Sequence, residues 1–214
     1  MPQVTGFFSK EKMSWDQNNL ACILIFPPWQ RKGLGGLLMG ASYEISRREG
    51  IVGGPEKPIS DLGKKGYRRY WASEITRWLL SIDLEDSTNS EIETESLVDV
   101  SDCSQATFIA LDDCLSVLRE MNIVVDAGSG PRKQSPNHST EPTEPGQAGE
   151  GNDVEDGQIK KTVPRVRLDK DAIRRYVASQ RLSLARTCDP DGFVEGYAMG
   201  KKELEMDVDA DEAT

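Results

Sequence analysis

Histidine is almost missing: the 214 residues contain one, His138, set in a stretch of Ser, Pro and Glu. That argues against a Ser-His-Asp triad or a Cys-His pair, since both need an imidazole held in a pocket. Cysteine is sparse as well. Cys22, Cys103, Cys114 and Cys188 make no Cys-x-x-Cys pair, and no zinc-ligand spacing is present, so no metal site is expected. No basic and then apolar leader opens the chain, so secretion and disulfides are not expected either. Long hydrophobic runs are lacking too. The longest near the start, "LACILIF", falls well short of the roughly 20 apolar residues that cross a bilayer. These absences describe a soluble intracellular protein with no membrane association.

What is plentiful is Gly, Pro, Ser and acid, against an apolar fraction of only 37%; part of the chain is therefore expected to be unstructured. The net charge of −10 is unevenly spread. Residues 1–80 carry twelve Lys/Arg against seven Asp/Glu, whereas residues 81–163 carry five against eighteen. Residues 164–200 return to a small positive balance, and 201–214 form an acidic tail. Such runs read as solvated surface, or as attraction for a basic partner.

"VTGFFSKEK" reads as a short strand and "MSWDQNN" as a turn. Leu20 to Phe26, rich in branched and aromatic residues, reads as a strand buried on both faces and ended by Pro27 and Pro28. Leu37, Leu38, Ala41 and Ile45 recur at helical spacing up to Glu49, where Gly50 closes the helix. Tyr67, Tyr70, Trp71, Ile75, Trp78 and Leu79 form the apolar stripe of a helix of about fourteen residues. "ATFIALDDCLSVLREMNIVV" reads as one amphipathic helix leading into a strand. Residues 127–162 hold almost no apolar side chains and are expected to be disordered; the Asn137-His138-Ser139 sequon falls there. Asp169 is placed to cap a helix running to Gln180, and "DPDGFVEGYAM" reads as a docked loop or strand.

Between the Leu20 to Phe26 strand and the first helix stands "QRKGLGGLL". It lacks the Gly-x-x-x-x-Gly-Lys-[Ser/Thr] of a P-loop, and Leu38 occupies the third position of a dinucleotide fingerprint after Gly33 and Gly35. In isolation it is as well explained by a plain strand-to-helix turn as by an anion loop. Glycines do let a backbone approach an anion that helix amides attract, and Arg31 and Lys32 add charge.

The context adds more. Gln-x-x-Gly-x-Gly/Ala after a buried strand is a coenzyme A signature, and "FFSKEK…NNLACILIFPPWQRKGLGGLLMGASYEISRREG…GPEKPISDLGKKGYRRYW" closely resembles the MYST family of histone acetyltransferases from about Val4 to Leu80. More loosely, 98–126 and 163–197 resemble its C-terminal, winged-helix-like helical part. The insert and tail look fungal and closest to a silencing-type member. The resemblance implies an α/β (α+β) fold with an acetyl-CoA-dependent N-acyltransferase (GNAT-like) core. It divides the chain into a partial catalytic core (1–80), an acidic connection with helical part (81–126), the insert (127–162), the remainder of the helical part (163–200) and the tail. The family's domain is longer, with a zinc finger, further strands and an autoacetylated lysine ahead of this region. The core therefore reads as N-terminally incomplete, and a catalytically inert interaction module is the alternative to an active enzyme.

Residue by residue, the resemblance implies that Glu56 is the general base and that Cys22 stands at the active-site cysteine. It implies that Ile23, Leu24 and Ile25 line the acetyl and pantetheine arm. Gln30, Arg31, Lys32, Gly33, Leu34, Gly35 and Gly36 would hold the pyrophosphate, and Ser60 would make a further coenzyme contact. Gly54 stands where many relatives have serine, a mild change, and Arg69 likewise replaces a serine that contacts coenzyme. It also implies a nuclear protein acting on histone tails within a chromatin acetyltransferase complex. By themselves, Glu56 reads as a solvated loop charge and Cys22 as a small core residue. Arg47, Arg48, Lys64, Lys65, Arg68 and Arg69 read either as a solvated helix face or as contacts to coenzyme phosphates or DNA.

Overall fold

The structure, a computed structural model, describes residues 1–12, 14–82, 97–131 and 162–194. In chain order these hold β1 (Gly6–Ser9), β2 (Asn18–Leu20), β3 (Cys22–Ile25), α1 (Leu34–Glu49), β4 (Gly54–Pro55) and α2 (Asp61–Ser81). They continue with β5 (Leu97–Asp99), α3 (Val100–Thr107), α4 (Leu111–Met121), β6 (Val124–Pro131), β7 (Thr162–Leu168) and α5 (Lys170–Gln180). The acidic stretch 83–96, most of the Ser/Pro/Glu-rich insert and the acidic tail lie outside the described residues.

The expected single strand from Leu20 to Phe26 is two strands that change partner at Ala21. β2 runs parallel to β4, with Leu20 opposite Pro55, and β3 runs antiparallel to β1, with Leu24 opposite Phe7. Neither face of β3 is deeply buried: Cys22 is exposed and Leu24 keeps 44% of its surface. The reason is its surroundings, because among the described residues β3 pairs with β1 alone. A branched, apolar run was a correct sign of a strand and a poor guide to how many neighbours it has.

α1 begins three residues before the apolar spacing suggests, and its buried side is not the apolar stripe. Met39, Gly40, Ser42, Tyr43, Glu44 and Ser46 are buried, whereas Leu37 remains 42% exposed. Buried Glu44 is matched by Arg47 at 2.9 Å and Arg48 at 3.4 Å, as a desolvated carboxylate requires. The loop after α5 docks on this side. Arg48 donates to the Pro190 carbonyl at 2.6 Å and lies 4.6 Å from the centre of the Phe193 ring, so "DPDGF" is a docked loop as expected.

α2 spans 21 residues rather than fourteen. Gly63 and Gly66 hide its first turns from a propensity reading, yet Ser60 caps them by accepting from the Gly63 amide at 3.2 Å. One side of α2 meets α1 through Tyr43, which stacks on Tyr70 at 5.2 Å and accepts from the Trp71 indole at 2.7 Å; within α2, Tyr67 tilts against Trp71 at 5.1 Å. Its other sides meet α3, α4 and α5. One continuous core therefore runs from Leu20 through Tyr67, Ile75 and Leu79 to Leu118 and Ile173.

Beyond α2, the helix expected over the "ATFIALDDC" segment is two helices. Phe108 turns left-handed at φ 60°, and the freed Ile109 carbonyl accepts from Ser104 Oγ at 2.6 Å. The order β5-β7-β6 makes an antiparallel sheet beside α3 and α4. Residues 127–131 belong to β6 and Thr162 to β7, so the composition-based insert gives up both ends to strands. α5 has the expected limits: Asp169 Oδ1 accepts from the amides of Asp171 and Ala172, both at 2.9 Å. These bonds, Ala172's foremost, hold the Asp169 carboxyl below the usual range.

Tyr43→Phe would leave the buried Trp71 N–H without an acceptor. It is expected to cost about 1–3 kcal/mol in urea unfolding, with helix content unchanged by circular dichroism.

Candidate functional site

The chain leaving β3 is held tightly. Gln30 donates from Nε2 to the Ile25 carbonyl at 2.8 Å, folding the Pro27–Trp29 turn back on the strand, and the Lys32 ammonium lies 4.9 Å from the Trp29 ring centre. Arg31 takes a left-handed φ of 60° and Gly33 one of 83°, the latter as N-cap of α1. At Gly33 the absence of Cβ removes the steric cost of that conformation. No side chain caps α1 and no acidic residue stands in its first turn. The opening amides of a helix have no intrahelical partner, and here they are left for an outside acceptor. A Cβ placed on Gly33 or Gly35 would meet nothing within 4 Å. An open, acid-free helix start beside Arg31 and Lys32 fits a pyrophosphate.

At the other end of β3, roughly 10 Å away by strand rise, the loop carrying Glu56 is bonded to the chain that leads into it. The Glu56 amide donates to the Leu20 carbonyl at 2.9 Å, two residues before Cys22. The same loop is gripped from the C-terminal half. Gly53 donates to the Phe108 carbonyl at 3.3 Å and accepts from the Ala110 amide at 3.2 Å. A Cβ on Gly53 would lie 2.2 Å from the Gln17 carbonyl oxygen, so only glycine fits this crossing.

Glu56 lines a cleft of about 540 Å³ together with Glu11, Trp15, Asp16, Lys57 and Asp113. Its side chain is exposed, as is that of Cys22. The Cys22 amide donates to Ser9 Oγ at 3.2 Å. Lys57 Nζ lies 3.1 Å from Asp113 Oδ1. The structure thus brings Cys22 and Glu56 to one end of β3 and Gln30 to Gly36 to the other. Ser60 lies four residues past Glu56, at the start of α2.

Several residues that sequence reasoning treated as ambiguous have structural partners. Arg69 donates to the Gln180 and Arg181 carbonyls at 3.3 and 2.8 Å, closing the C-terminal end of α5. Arg68 pairs with Glu120 at 2.9 Å, and Arg47 lies over the Phe108 ring at 5.3 Å. Gly54 is less interchangeable than its place in the motif suggests, since a Cβ there would come within 2.8 Å of Asp113 Oδ2. Trp15 and Asp113 were missed. Asp113 looks like any helix residue in the chain, and no sequence signal connects α4 with the Glu56 loop. Among the described residues no group of His, Cys, Asp or Glu is arranged to hold a metal ion, and no helix is long and apolar enough to cross a membrane.

A strand that runs into an acid-free, glycine-rich helix start, with a carboxylate loop bonded beside its other end, places an acidic cleft and an open helix start on one mixed α/β unit. The chain belongs to the MOZ/SAS family, which matches residues 1–141. It is 42% identical over 121 residues to histone acetyltransferase MOF of Drosophila melanogaster, covering 56% of this chain and 13% of that protein. It is 43% identical over 119 residues to histone acetyltransferase SAS2 of Saccharomyces cerevisiae, covering 56% and 33%. It is also 52% identical over 89 residues to histone acetyltransferase esa1 of Emericella nidulans, covering 42% and 18%. The chain therefore spans a third or less of each of these relatives.

Gly53→Ala sets a side-chain carbon against backbone that cannot give way. A loss of about 1–3 kcal/mol, the usual range for overpacking, is expected in urea unfolding.

Proposed function

We propose that this chain supplies the acetyl-CoA-binding and general-base part of a histone lysine acetyltransferase. The observation that carries the reading is the Glu56 amide bond to Leu20, which sets the carboxylate beside a strand whose far end enters the open helix start. In this reading Gln30 to Gly36 hold the pyrophosphate of acetyl-CoA, and the backbone of Ile23, Leu24 and Ile25 lies along the pantetheine arm. Ser60 adds a coenzyme contact, and Cys22 lines the site.

A lysine ammonium with an ordinary pKa of about 10.4 cannot attack a thioester. Glu56 takes a proton from it, directly or through one water, and the freed amine attacks the acetyl carbonyl carbon. The carbon–sulfur bond then breaks, leaving an amide and coenzyme A. Backbone N–H groups on the edge of β3 turned away from β1 are suited to the oxyanion that develops. The acidic cleft around Glu56 suits a positively charged histone tail. Residues 1–80 are read as a GNAT-like core, and the succession β5-α3-α4 with the β6–β7 hairpin and α5 as a winged-helix-like part. Nuclear residence and membership of a chromatin acetyltransferase complex belong to this reading, which relatives named as histone acetyltransferases support.

The test uses the full-length gene product with histone peptides and acetyl-CoA. Glu56→Gln is expected to lower kcat by at least about 10²-fold, the lower range for a positioned base, while calorimetry still detects acetyl-CoA binding. Undiminished turnover in that variant would contradict the assignment.

A further inference from the structure

Lys57 stands next to Glu56, and both line the same cleft, where Lys57 is the one cation among the described lining residues. Three carboxylates there, those of Glu11, Asp16 and Glu56, could attract it. It is instead paired with a fourth, Asp113. Among the described residues no ion pair engages Glu56, although the neighbouring lysine lies in the same cleft.

Asp113 is built for that commitment. It is 7% exposed and sits in the first turn of α4, where the helix dipole favours a negative charge. The Gly53–Ile109 bridge and the Ala110 amide bond hold the start of α4 against the Glu56 loop. Asp113 Oδ2 is buried without a hydrogen-bond partner. It fills the space that a Cβ on Gly54 would occupy, 2.8 Å away. The carboxylate is thus wedged, with Lys57 as its charge partner.

We infer that Asp113 is a positioning residue for the reaction, acting through Lys57: it holds the Lys57 ammonium off Glu56. The inference rests on the reading of Glu56 as the base. An ammonium paired with Glu56 would stabilise the charged carboxylate, weaken it as a base and occupy the oxygen that must receive the substrate's proton. Asp113 prevents this from a different helix, which ties the C-terminal half to the chemistry without touching substrate.

A double-mutant cycle in the full-length protein tests this. Asp113→Asn keeps the shape but releases Lys57, and kcat is expected to fall on the order of tenfold, part of what a positioned base supplies. The KM for acetyl-CoA should hold, because the glycine loop lies at the other end of β3. Adding Lys57→Met to that variant removes the intruding cation and restores most of kcat. A double variant as slow as Asp113→Asn alone would overturn the inference, since a merely structural aspartate is not rescued by deleting its partner. NMR gives a readout that needs no turnover. The Lys57 Nζ should correlate with the Asp113 carboxyl carbon in the native protein and with that of Glu56 in Asp113→Asn; no correlation to Glu56 in the variant would likewise overturn it. Absence of acetyl transfer by the native protein would instead contradict the reading of the site as an acetyltransferase, and the NMR result would still decide where Lys57 goes.

Discussion

Three chain segments meet at Gly53, and the site depends on that crossing. The Gln17 carbonyl passes where a side chain would stand, and the loop from 53 to 56 exchanges backbone bonds with Phe108 and Ala110 on one side and with Leu20 on the other. A two-residue strand such as β4 has little stability of its own. It holds here because its neighbours belong to separate parts of the chain, both anchored in the same core. Glu56 is thereby placed by backbone geometry, while its side chain stays exposed in a cleft. That combination of a fixed root and a free tip suits the base role proposed for Glu56.

The core that anchors the crossing is organised around α2. The Tyr43 ring of α1 covers part of one side of it, and α3, α4 and α5 meet the others. The hydroxyl of Tyr43 is usable as an acceptor because Trp71 donates to it, and burial pushes the phenol's pKa well above its ordinary value. Tyr43 thus remains a neutral core residue. The Gln30 to Gly36 loop is fixed differently, by one bond from Gln30 to the strand and by the left-handed turns at Arg31 and Gly33. Its Arg31 and Lys32 are exposed, as suits the anion-holding role proposed for it.

The sequence was most informative where local chemistry decides local structure. Asp169 capped the helix it was expected to cap, Gly50 ended α1, and the stripe from Tyr67 to Leu79 is buried except for Trp78, which is partly so. The family resemblance pointed to the Gln30 to Gly36 loop and to Glu56, and the structure sets them at the two ends of β3. What could not be read were facts set by distant partners. "LACILIF" looks doubly buried, but whether a strand is covered depends on what pairs with it. On α1, Gly40 and the Arg48 partner of buried Glu44 meet a loop some 140 residues away, with Arg48 reaching Pro190, and nothing in the local pattern announces that. The pairing of Lys57 with Asp113 joins residues 56 positions apart and leaves no periodic trace. The family resemblance supplied roles for Cys22, Glu56 and Ser60 that composition and spacing alone could not.

The central claim is that the helix start and Glu56 serve one ligand lying along β3. Backbone-amide NMR of the full-length protein, titrated in parallel with acetyl-CoA and with coenzyme A, tests it most directly. Both ligands should shift the amides of Gly33 to Gly36. The difference between them, which reports the acetyl group alone, should concentrate at Leu20 to Ile23 and at Glu56. Unmoved glycine-loop amides, or an acetyl-dependent difference located away from the Cys22 end of β3, would contradict the account.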